Sequence, residues 1–366
     1  MPQGSVLGPT LFLIFVNDLP DVVKSNIIMF ADDTKLYVRS DNNDQAEQLQ
    51  RDISCLEEWA AKWQLSFHPD KCTVLRLGRI NPDEQKKYHM KRDSSSVTLK
   101  EVNAEKDLGV LIDSKLSFKD HVSQAALKGN RVLGIVRRTF VSLDAVTMLH
   151  LFKGLIRPLL EYGQAAWSPY KLSEQRKLES VQRRATKMIP GFRNLSYRER
   201  LMKLKLPSLA HRRRRGDMID VYKYLTGVYN TQHNPFSLSQ RRSRGHRMKL
   251  DKHFSRLDVR KYFFSNRVVD MWNSLPDDVV SAHSVNSFKN RIDRHWSKNY
   301  DLLYEPVYTC SHFSCTCIIL HTPRSFLEFS FLRVLDNVLP RRTKMLRSMN
   351  RHLCLQHRGI NMIKVK

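Results

Sequence analysis

Apolar residues recur along the first third of the chain with two different periods, and the periods separate helices from strands. Residues 5–19 are apolar on every side, which predicts a buried helix with Ser5 as its N-cap and Pro9 in its first turn. Residues 44–63 repeat apolar positions every three or four residues, as an amphipathic helix does. We expect this second helix to place Trp59 in a core.

Short β-branched and apolar runs lie between and after these helices and predict strands. Residues 26–30 and 35–39 flank a polar turn at residues 31–34, which predicts a β-hairpin. Helix, hairpin, helix and strands in this order indicate an α+β arrangement over residues 1–115. The further predicted strands cover residues 71–77, 97–99 and 107–113.

The hydrophobic period becomes helical after residue 118 and predicts a helical domain. Residues 301–366 show weak periodicity, and we predict a poorly ordered tail there. Trp63 is also predicted to be a core residue rather than a platform for base stacking. The predicted helices after residue 118 cover residues 119–139, 142–156, 173–189 and 260–276.

Charge is distributed unevenly along the 366 residues, whose net charge is +26. Residues 1–60 carry 10 acidic against 4 basic side chains, whereas residues 176–260 carry 23 basic against 6 acidic. Such a basic region predicts sequence-independent, salt-sensitive binding to nucleic acid, with Tyr222, Tyr224 and Phe236 as stacking faces, although a solvated basic helix is an alternative. The residues expected to bind nucleic acid are Arg183, Arg184, Lys187, Arg212, Arg213, Arg214 and Arg215, of which the last four also resemble a nuclear localisation signal.

Cysteine usage and hydropathy limit the compartments in which this protein is expected. Six irregularly spaced cysteines favour a reducing compartment, and no run reaches the roughly 18 apolar residues of a membrane span. With no signal-peptide pattern, we expect a nuclear or cytoplasmic protein that is neither secreted nor embedded in a membrane. The cluster CSHFSCTC at residues 310–317, with His321, lacks the paired spacing of zinc sites, and we assign no zinc ligands.

The hairpin sequence FADD, residues 30–33, places two carboxylates side by side inside an apolar run. Adjacent aspartates at a turn are most often turn formers, but the apolar flanks predict a rigid support for them. Fixed carboxylate oxygens suit Mg²⁺ or Mn²⁺, and two such ions assist phosphoryl transfer. The pattern therefore favours nucleotidyl transfer at Asp32 and Asp33.

Several motifs occur in an order that resembles the reverse transcriptases of non-LTR, LINE-like and jockey-like, retrotransposons. PQGSVLGPTLFLIFVNDLP at residues 2–20 resembles the block that contacts template and nucleotide, and FADD resembles the palm hairpin. The likeness extends to about residue 295. It includes WAAKWQLSFHPDKC at 59–72, EKDLGVLID at 105–113, LSFKDH at 116–121, LLEY at 159–162, WSP at 167–169, LESVQRRATK at 178–187 and WNSLP at 272–276.

This resemblance implies roles for individual residues. Asp32 corresponds to a ligand of the catalytic Mg²⁺ or Mn²⁺, and Asp33 to the second, supporting carboxylate. Gln3 and Gly4 correspond to contacts with the templating base and the incoming nucleotide. Lys71 corresponds to a lysine near the triphosphate, although an exposed loop lysine explains it equally well. The implied partners are an RNA template, a DNA primer and deoxynucleoside triphosphates, and the oligomeric state is open.

The family's palm also uses an aspartate upstream of the Pro-Gln-Gly block, and that block begins here at Pro2. We therefore expect a C-terminal fragment of an RNA-directed DNA polymerase that binds metal weakly and is inactive alone. The alternative is a non-catalytic nucleic-acid-binding relic or a host-adopted interaction protein. The expected divisions are a partial palm at 1–117, a helical thumb or connection at 118–200, a basic helical post-polymerase region at 201–300 and the tail at 301–366.

Overall fold

The structure, a computed structural model, is a mixed α+β molecule with two compact units. One unit lies within residues 1–117 and 355–366, and the other within residues 118–354. No helix among the described residues is long and apolar enough to cross a membrane. The structure describes residues 7–39, 43–78, 86–92, 95–230, 234–240, 244–297, 304 and 360–365.

A five-stranded sheet is the centre of the first unit, and its third strand comes from the other end of the chain. The predicted hairpin is present, and its two strands pair antiparallel at one side of the sheet. Its strands are, in spatial order, β1 (Asn26–Phe30), β2 (Asp33–Arg39), β9 (Ile360–Val365), β3 (Thr73–Leu77) and β6 (Lys100–Val102).

Strand β9 pairs antiparallel with both β2 and β3. Residues 360–364 each have a partner in both strands, and Val365 has a partner in β2. Ile363, at the middle of β9, lies opposite Leu36 of β2 and Val74 of β3. The prediction of a poorly ordered tail over residues 301–366 is therefore wrong for Ile360–Val365. Its pairing partners precede it by 283–291 residues in β3 and by 321–331 residues in β2, and no local pattern identifies such a contact.

Helix α2 (Asn43–Lys62) covers one face of this sheet, close to the predicted bounds of 44–63. The side chains of Leu49, Ile53 and Leu56 are fully buried in the core that the helix forms with the sheet. Trp59 is buried there as expected. Trp63 is 40% exposed, so its prediction as a core residue is wrong, because the helix ends one residue earlier.

Helix α1 (Gly8–Phe15) is shorter and far more exposed than its sequence suggests. None of its residues is buried, and the Ile14 side chain is 68% exposed, so the expectation of burial on all sides is wrong. Pro9 does lie in the first turn as predicted, while Ser5 lies outside the described residues. Phe15 attaches the end of the helix by edge-on contacts with Trp59 and Trp63, at ring-centroid distances of 6.1 and 5.3 Å.

Two small hairpins complete the first unit, and both refine the predicted strands. Strand β4 (His89–Arg92) pairs with β5 (Ser95–Thr98). The segment predicted as one strand over residues 107–113 contains β8 (Val110–Asp113), preceded by a two-residue turn that joins it to β7 (Ala104–Asp107). Both turn residues, Leu108 and Gly109, have positive φ angles of 42° and 87°, as a type I′ turn requires.

The second unit is helical, and α3 (Lys119–Thr139) is its first and longest helix. The helix predicted at residues 142–156 continues through a π-helical turn, Phe152–Ile156, because Pro158 falls where its missing N–H is harmless. The next helices are α4 (Ala145–Leu151), α5 (Arg157–Glu161), α6 (Gln164–Trp167), α7 (Leu172–Lys187), α8 (Tyr197–Lys203) and α9 (Leu209–Leu225).

The single helix predicted at residues 260–276 is divided into three short helices. The breaks at Tyr262–Phe263 and at Val268 let Phe263, Phe264 and Trp272 enter one core. That core also contains Tyr222, which stacks on Phe288 at a ring-centroid distance of 4.5 Å. The three helices are α10 (Asp258–Lys261), α11 (Phe264–Arg267) and α12 (Val269–Asn273), and they are followed by α13 (Asp277–Val280) and α14 (Val285–Ser297).

The position of β9 predicts that an isoleucine near the end of the chain stabilises the N-terminal sheet. Ile363→Ala removes a fully buried side chain and is expected to cost about 2–5 kcal/mol of the free energy of unfolding of this unit. Faster hydrogen exchange in peptides that cover β2 and β3 would report this loss of stability.

The matched control is Ile14→Ala, at an exposed position, which is expected to change stability by less than about 0.5 kcal/mol. Equal exchange rates for the Ile363 variant and the unsubstituted protein would show that β9 does not complete this sheet in solution.

Candidate functional site

The two hairpin aspartates lie at the tip of β1 and β2, and they differ in exposure. Phe30 pairs with Asp33 across the hairpin, which leaves a two-residue loop of Ala31 and Asp32. Ala31 has a φ angle of +51°, a left-handed conformation that alanine adopts only at an energetic cost. Asp32 is exposed, whereas Asp33 is partly buried as the first residue of β2.

Successive side chains of β2 alternate between the two faces of the sheet. Leu36 and Val38 belong to the core beneath α2. Asp33 and Lys35 therefore point to the opposite face, where they meet charged side chains from β7 and β9. This opposite face carries the polar chemistry of the unit.

Lys35 and Asp107 form a buried ion pair on that face, and each side chain is only 1% exposed. Burial lowers the pKa of Lys35, and the Asp107 carboxylate opposes that shift by attraction and by accepting a hydrogen bond. Removal of either partner would leave an uncompensated charge in the interior. The pair therefore fixes the hairpin to β7.

Lys364 of β9 brings a second ammonium group to the same face. Its Nζ donates to Glu105 Oε1 at 3.1 Å and to the Lys106 carbonyl at 2.9 Å. The same Nζ is 4.0 Å from Asp33 Oδ2. Thr73 donates to the other oxygen of Glu105 at 3.1 Å, which holds that carboxylate in place. The Asp33 carboxylate thus lies beside a cation that the protein itself supplies.

The oxygen donors at the hairpin tip fit a hard divalent cation only in part. The exposed Asp32 carboxylate is a suitable ligand for Mg²⁺ or Mn²⁺. At Asp33, a divalent cation would be repelled by the Lys364 ammonium group. Within the described residues, no group of three or more His, Cys, Asp or Glu side chains is placed to hold a metal ion.

The remaining residues that the resemblance assigned to this site are Lys71, Gln3 and Gly4. Lys71 is exposed at the end of the short 3₁₀ helix Pro69–Lys71, and no hydrogen bond or ion pair among the described residues joins it to Asp32 or Asp33. Gln3, Gly4 and the cysteine cluster at residues 310–317 lie outside the described residues.

Four charged residues of this face were missed from the sequence: Lys35, Glu105, Asp107 and Lys364. The only local signal is the alternation of polar side chains within apolar β2, which places Asp33 and Lys35 on one face. Glu105 and Asp107 share the corresponding spacing in β7, but only the tertiary structure brings the two strands together.

The arginine run at residues 212–215 lies on α9, and the helix turns its members in different directions. Arg212 forms a bidentate ion pair with Glu161, with N–O distances of 2.5 and 2.8 Å. Arg215 does the same with Asp293, at 2.6 and 2.7 Å. Arg213 is buried, and Arg214 is half-buried. The run is therefore not one exposed basic patch, because consecutive residues on a helix are about 100° apart.

The basic residues of α7 are more accessible. Arg183, Arg184 and Lys187 are all exposed. The Arg183 guanidinium lies over the Tyr197 ring at 4.8 Å, and Arg184 donates to Asn130 Oδ1 at 2.8 Å. Spacing of four residues places Arg183 and Lys187 on the same side of the helix.

The aromatic residues predicted as stacking faces are core residues instead. Tyr222, Tyr224 and Phe236 are all buried in the second unit, and the Tyr222 hydroxyl donates to the Ala282 carbonyl at 2.6 Å. The C-terminal half of α9 is buried on nearly every side, and Phe236 packs into the same core, so the prediction of exposed stacking faces is wrong.

Comparison with known proteins agrees with the hairpin chemistry. Residues 1–110 match the family model described as reverse transcriptase (RNA-dependent DNA polymerase). The probable RNA-directed DNA polymerase from transposon X-element of Drosophila melanogaster is 29% identical over 212 residues, covering 52% of this chain and 22% of the relative. The RNA-directed DNA polymerase from mobile element jockey of Drosophila funebris is 27% identical, with the same coverage.

A more distant match is the retrovirus-related Pol polyprotein from type-1 retrotransposable element R1 of Nasonia vitripennis, 25% identical over 50% of this chain and 57% of the relative. No solved structure matches. The chain spans about a fifth of the length of the X-element and jockey relatives. Taken with the FADD hairpin, these matches identify residues 1–110 as reverse transcriptase sequence and relate the chain to the RNA-directed DNA polymerases of LINE-like, non-LTR retrotransposons.

Proposed function

We propose that residues 1–117 are part of the palm of an RNA-directed DNA polymerase, and that Asp32 is a ligand of its catalytic metal ion. The observation that carries this proposal is an exposed carboxylate at the tip of a two-residue hairpin turn, within the segment that matches the reverse transcriptase family. In this reaction class, Mg²⁺ or Mn²⁺ stabilises the attacking and leaving oxygens of nucleotidyl transfer. The natural partners would be an RNA template, a DNA primer and deoxynucleoside triphosphates.

The helical residues after 117 are the proposed thumb and post-polymerase region. Ala165, from the part expected to be thumb, packs in the same core as Tyr222 and Trp272 from the post-polymerase part. Helices α7 and α9 also pack on each other. This shared core supports residues 118–297 acting as one body rather than two independent modules.

We propose further that this polypeptide does not extend primers by itself, because Lys364 opposes a cation at Asp33. The Lys364 side chain is 7% exposed, and its ammonium group pairs with Glu105 and lies near Asp33. A shielded cation interacts with its neighbours more strongly than a solvated one. The second carboxylate of the hairpin is thus committed within the protein.

Primer extension tests the inactivity directly. The 366-residue chain, an annealed RNA template and DNA primer, deoxynucleoside triphosphates and either Mg²⁺ or Mn²⁺ are expected to give no extended product on a denaturing gel. Template-dependent extension that disappears in Asp32→Ala would contradict the proposal of inactivity and support catalysis at the hairpin.

Metal binding tests the role of Lys364. Lys364→Gln removes the positive charge next to Asp33 and is expected to tighten Mn²⁺ binding about tenfold, which electron paramagnetic resonance of free Mn²⁺ measures. Lys115→Gln, an exposed lysine of the same unit, controls for the change in net charge and should leave the affinity unchanged.

Two further variants make this metal-binding test specific. Asp32→Ala in the Lys364→Gln background should abolish the gained affinity. Circular dichroism confirms that each variant is folded, since Lys364 also pairs with Glu105. If folded Lys364→Gln binds Mn²⁺ with the same affinity as the unsubstituted protein, Lys364 does not oppose metal binding at the hairpin.

A nucleic-acid-binding function without catalysis is the second candidate, and the exposed basic side of α7 favours it. Arg183 and Lys187 lie on one side of this helix and are both exposed, as phosphate contacts must be. Arg212 and Arg215, by contrast, already have carboxylate partners. The proposed surface is therefore α7 rather than the arginine run of α9.

Replacing Arg183 and Lys187 together by alanine is expected to weaken binding of a labelled single-stranded RNA and to reduce the slope of log affinity against log salt by about 1.4. Fluorescence anisotropy over a salt series measures both. Arg51→Ala with Lys62→Ala makes the same change in net charge at two exposed positions of the acidic part of the chain. Equal effects of the two double variants would assign the binding to net charge alone.

A further inference from the structure

A cleft of about 290 Å³ in the second unit contains a buried arginine whose terminal nitrogens have no hydrogen-bond partner among the described residues. It opens between the segment preceding α7, the middle of α9 and the short helices α10 to α12. Its lining includes Tyr170, Arg213, Arg214, Asp217, Tyr262 and Arg267.

Arg213 is only 4% exposed, yet its terminal nitrogens lack acceptors. Neither Nη1 nor Nη2 has a hydrogen-bond partner among the described residues. A buried guanidinium without acceptors is costly, so such groups in folded proteins are usually paired or bind a ligand. Burial lowers the pKa of Arg213, and the carboxylate of Glu179 opposes that shift.

Glu179 does not provide the missing partner. Its Oε1 accepts from the Tyr197 hydroxyl at 2.5 Å and from the Leu209 backbone N–H at 3.2 Å. Its Oε2 has no hydrogen-bond partner among the described residues, and burial raises the pKa of this carboxyl group. Glu179 therefore attracts the Arg213 guanidinium without supplying an acceptor to its terminal nitrogens.

The carboxylate that lines the cleft is also engaged. Asp217 forms a bidentate ion pair with Arg267, with both N–O distances at 2.9 Å. Arg267 donates further to the Ala165 carbonyl at 3.1 Å. Once this pair is set aside, Arg213 is a buried cation of the lining whose terminal nitrogens have no acceptor among the described residues.

Two tyrosines form an aromatic wall beside these arginines. Tyr170 and Tyr262 stack with a ring-centroid distance of 4.5 Å and an interplanar angle of 3°. Lys171 lies over the Tyr170 ring at 5.8 Å, and Lys261 lies over the Tyr262 ring at 5.4 Å. Because each ring covers one face of the other, a base can contact this pair only at its outer faces or edges, beside the two lysines.

We propose that this cleft binds the phosphate group of a nucleotide through Arg213 and Arg214, with the base placed against the Tyr170–Tyr262 pair. The planar guanidinium matches two phosphate oxygens, which would give Arg213 the acceptors that it lacks. The phosphate can belong to a free nucleotide or to a nucleic-acid strand. The proposal requires neither the hairpin metal nor polymerisation, and it uses residues distinct from the exposed side of α7.

Isothermal titration of the 366-residue chain with adenosine 5′-monophosphate tests the site, with inorganic phosphate and adenosine as the partial ligands. The monophosphate and inorganic phosphate are expected to bind at low salt, and adenosine at least tenfold more weakly than its monophosphate. Arg213→Met is expected to weaken monophosphate binding about ten- to a hundredfold, the loss of hydrogen bonds to a charged group. Tyr262→Ala is expected to weaken binding of the monophosphate and to leave the affinity for inorganic phosphate unchanged.

Arg193→Ala, at an exposed position, is the matched control and should bind as the unsubstituted protein does. Arg214→Ala, at a half-buried position, provides a second test in case Arg213→Met does not fold. Folded variants at both positions that bind the monophosphate normally would overturn the proposal. Failure of the unsubstituted protein to bind either phosphate compound would overturn it as well.

Two oligonucleotides distinguish the source of the phosphate. Tighter binding of a 5′-phosphorylated strand than of its 5′-hydroxyl counterpart, lost in Arg214→Ala, assigns the cleft to a strand end. Binding of the monophosphate with no difference between the strands assigns it to a free nucleotide, and both results support the phosphate site. The Arg183 and Lys187 double variant should retain monophosphate binding. The experiments can therefore contradict the proposal of RNA binding by α7 and the proposal of phosphate binding in the cleft independently.

Discussion

The antiparallel pairing of β9 with β2 and β3 is the constraint on which the N-terminal unit depends. Without it, β2 and β3 would each present an unpaired edge of backbone N–H and C=O groups beneath a helix that covers only one face. The same pairing places Ile363 under α2 and Lys364 on the opposite face, because side chains alternate along a strand. One six-residue segment therefore contributes both to the hydrophobic core and to the electrostatics of the hairpin.

Those electrostatics change what two adjacent aspartates can do. In isolation, Asp32 and Asp33 would repel each other and attract a divalent cation. In the folded unit, Asp33 lies beside Lys364, while Lys35 is neutralised by Asp107. Only Asp32 remains exposed to receive an external ion. The hairpin is thus well formed while its second carboxylate lies beside an ammonium group of the same protein.

The second unit distributes its positive charge by a similar principle. Carboxylates on neighbouring helices meet Arg212, Arg215 and Arg267, so these cations contribute to packing rather than to a binding surface. Exposed arginine remains on α7, and the buried Arg213 has terminal nitrogens with no acceptor among the described residues. The high net charge therefore does not identify a binding surface. Whether a given cation can contribute to such a surface depends on whether it already has a carboxylate partner in the folded protein.

The sequence alone determined the features that arise from contacts close along the chain. The amphipathic period located α2, α3 and α7, and the apolar flanks of FADD located the hairpin, because helices and tight turns are stabilised mainly by near neighbours. The tertiary structure decided the rest: β9 as a central strand, the Lys35–Asp107 pair, the inward turn of Tyr222 and the cleft around Arg213. These depend on residues tens to hundreds of positions apart, whose meeting is set by burial of the whole core rather than by any local pattern.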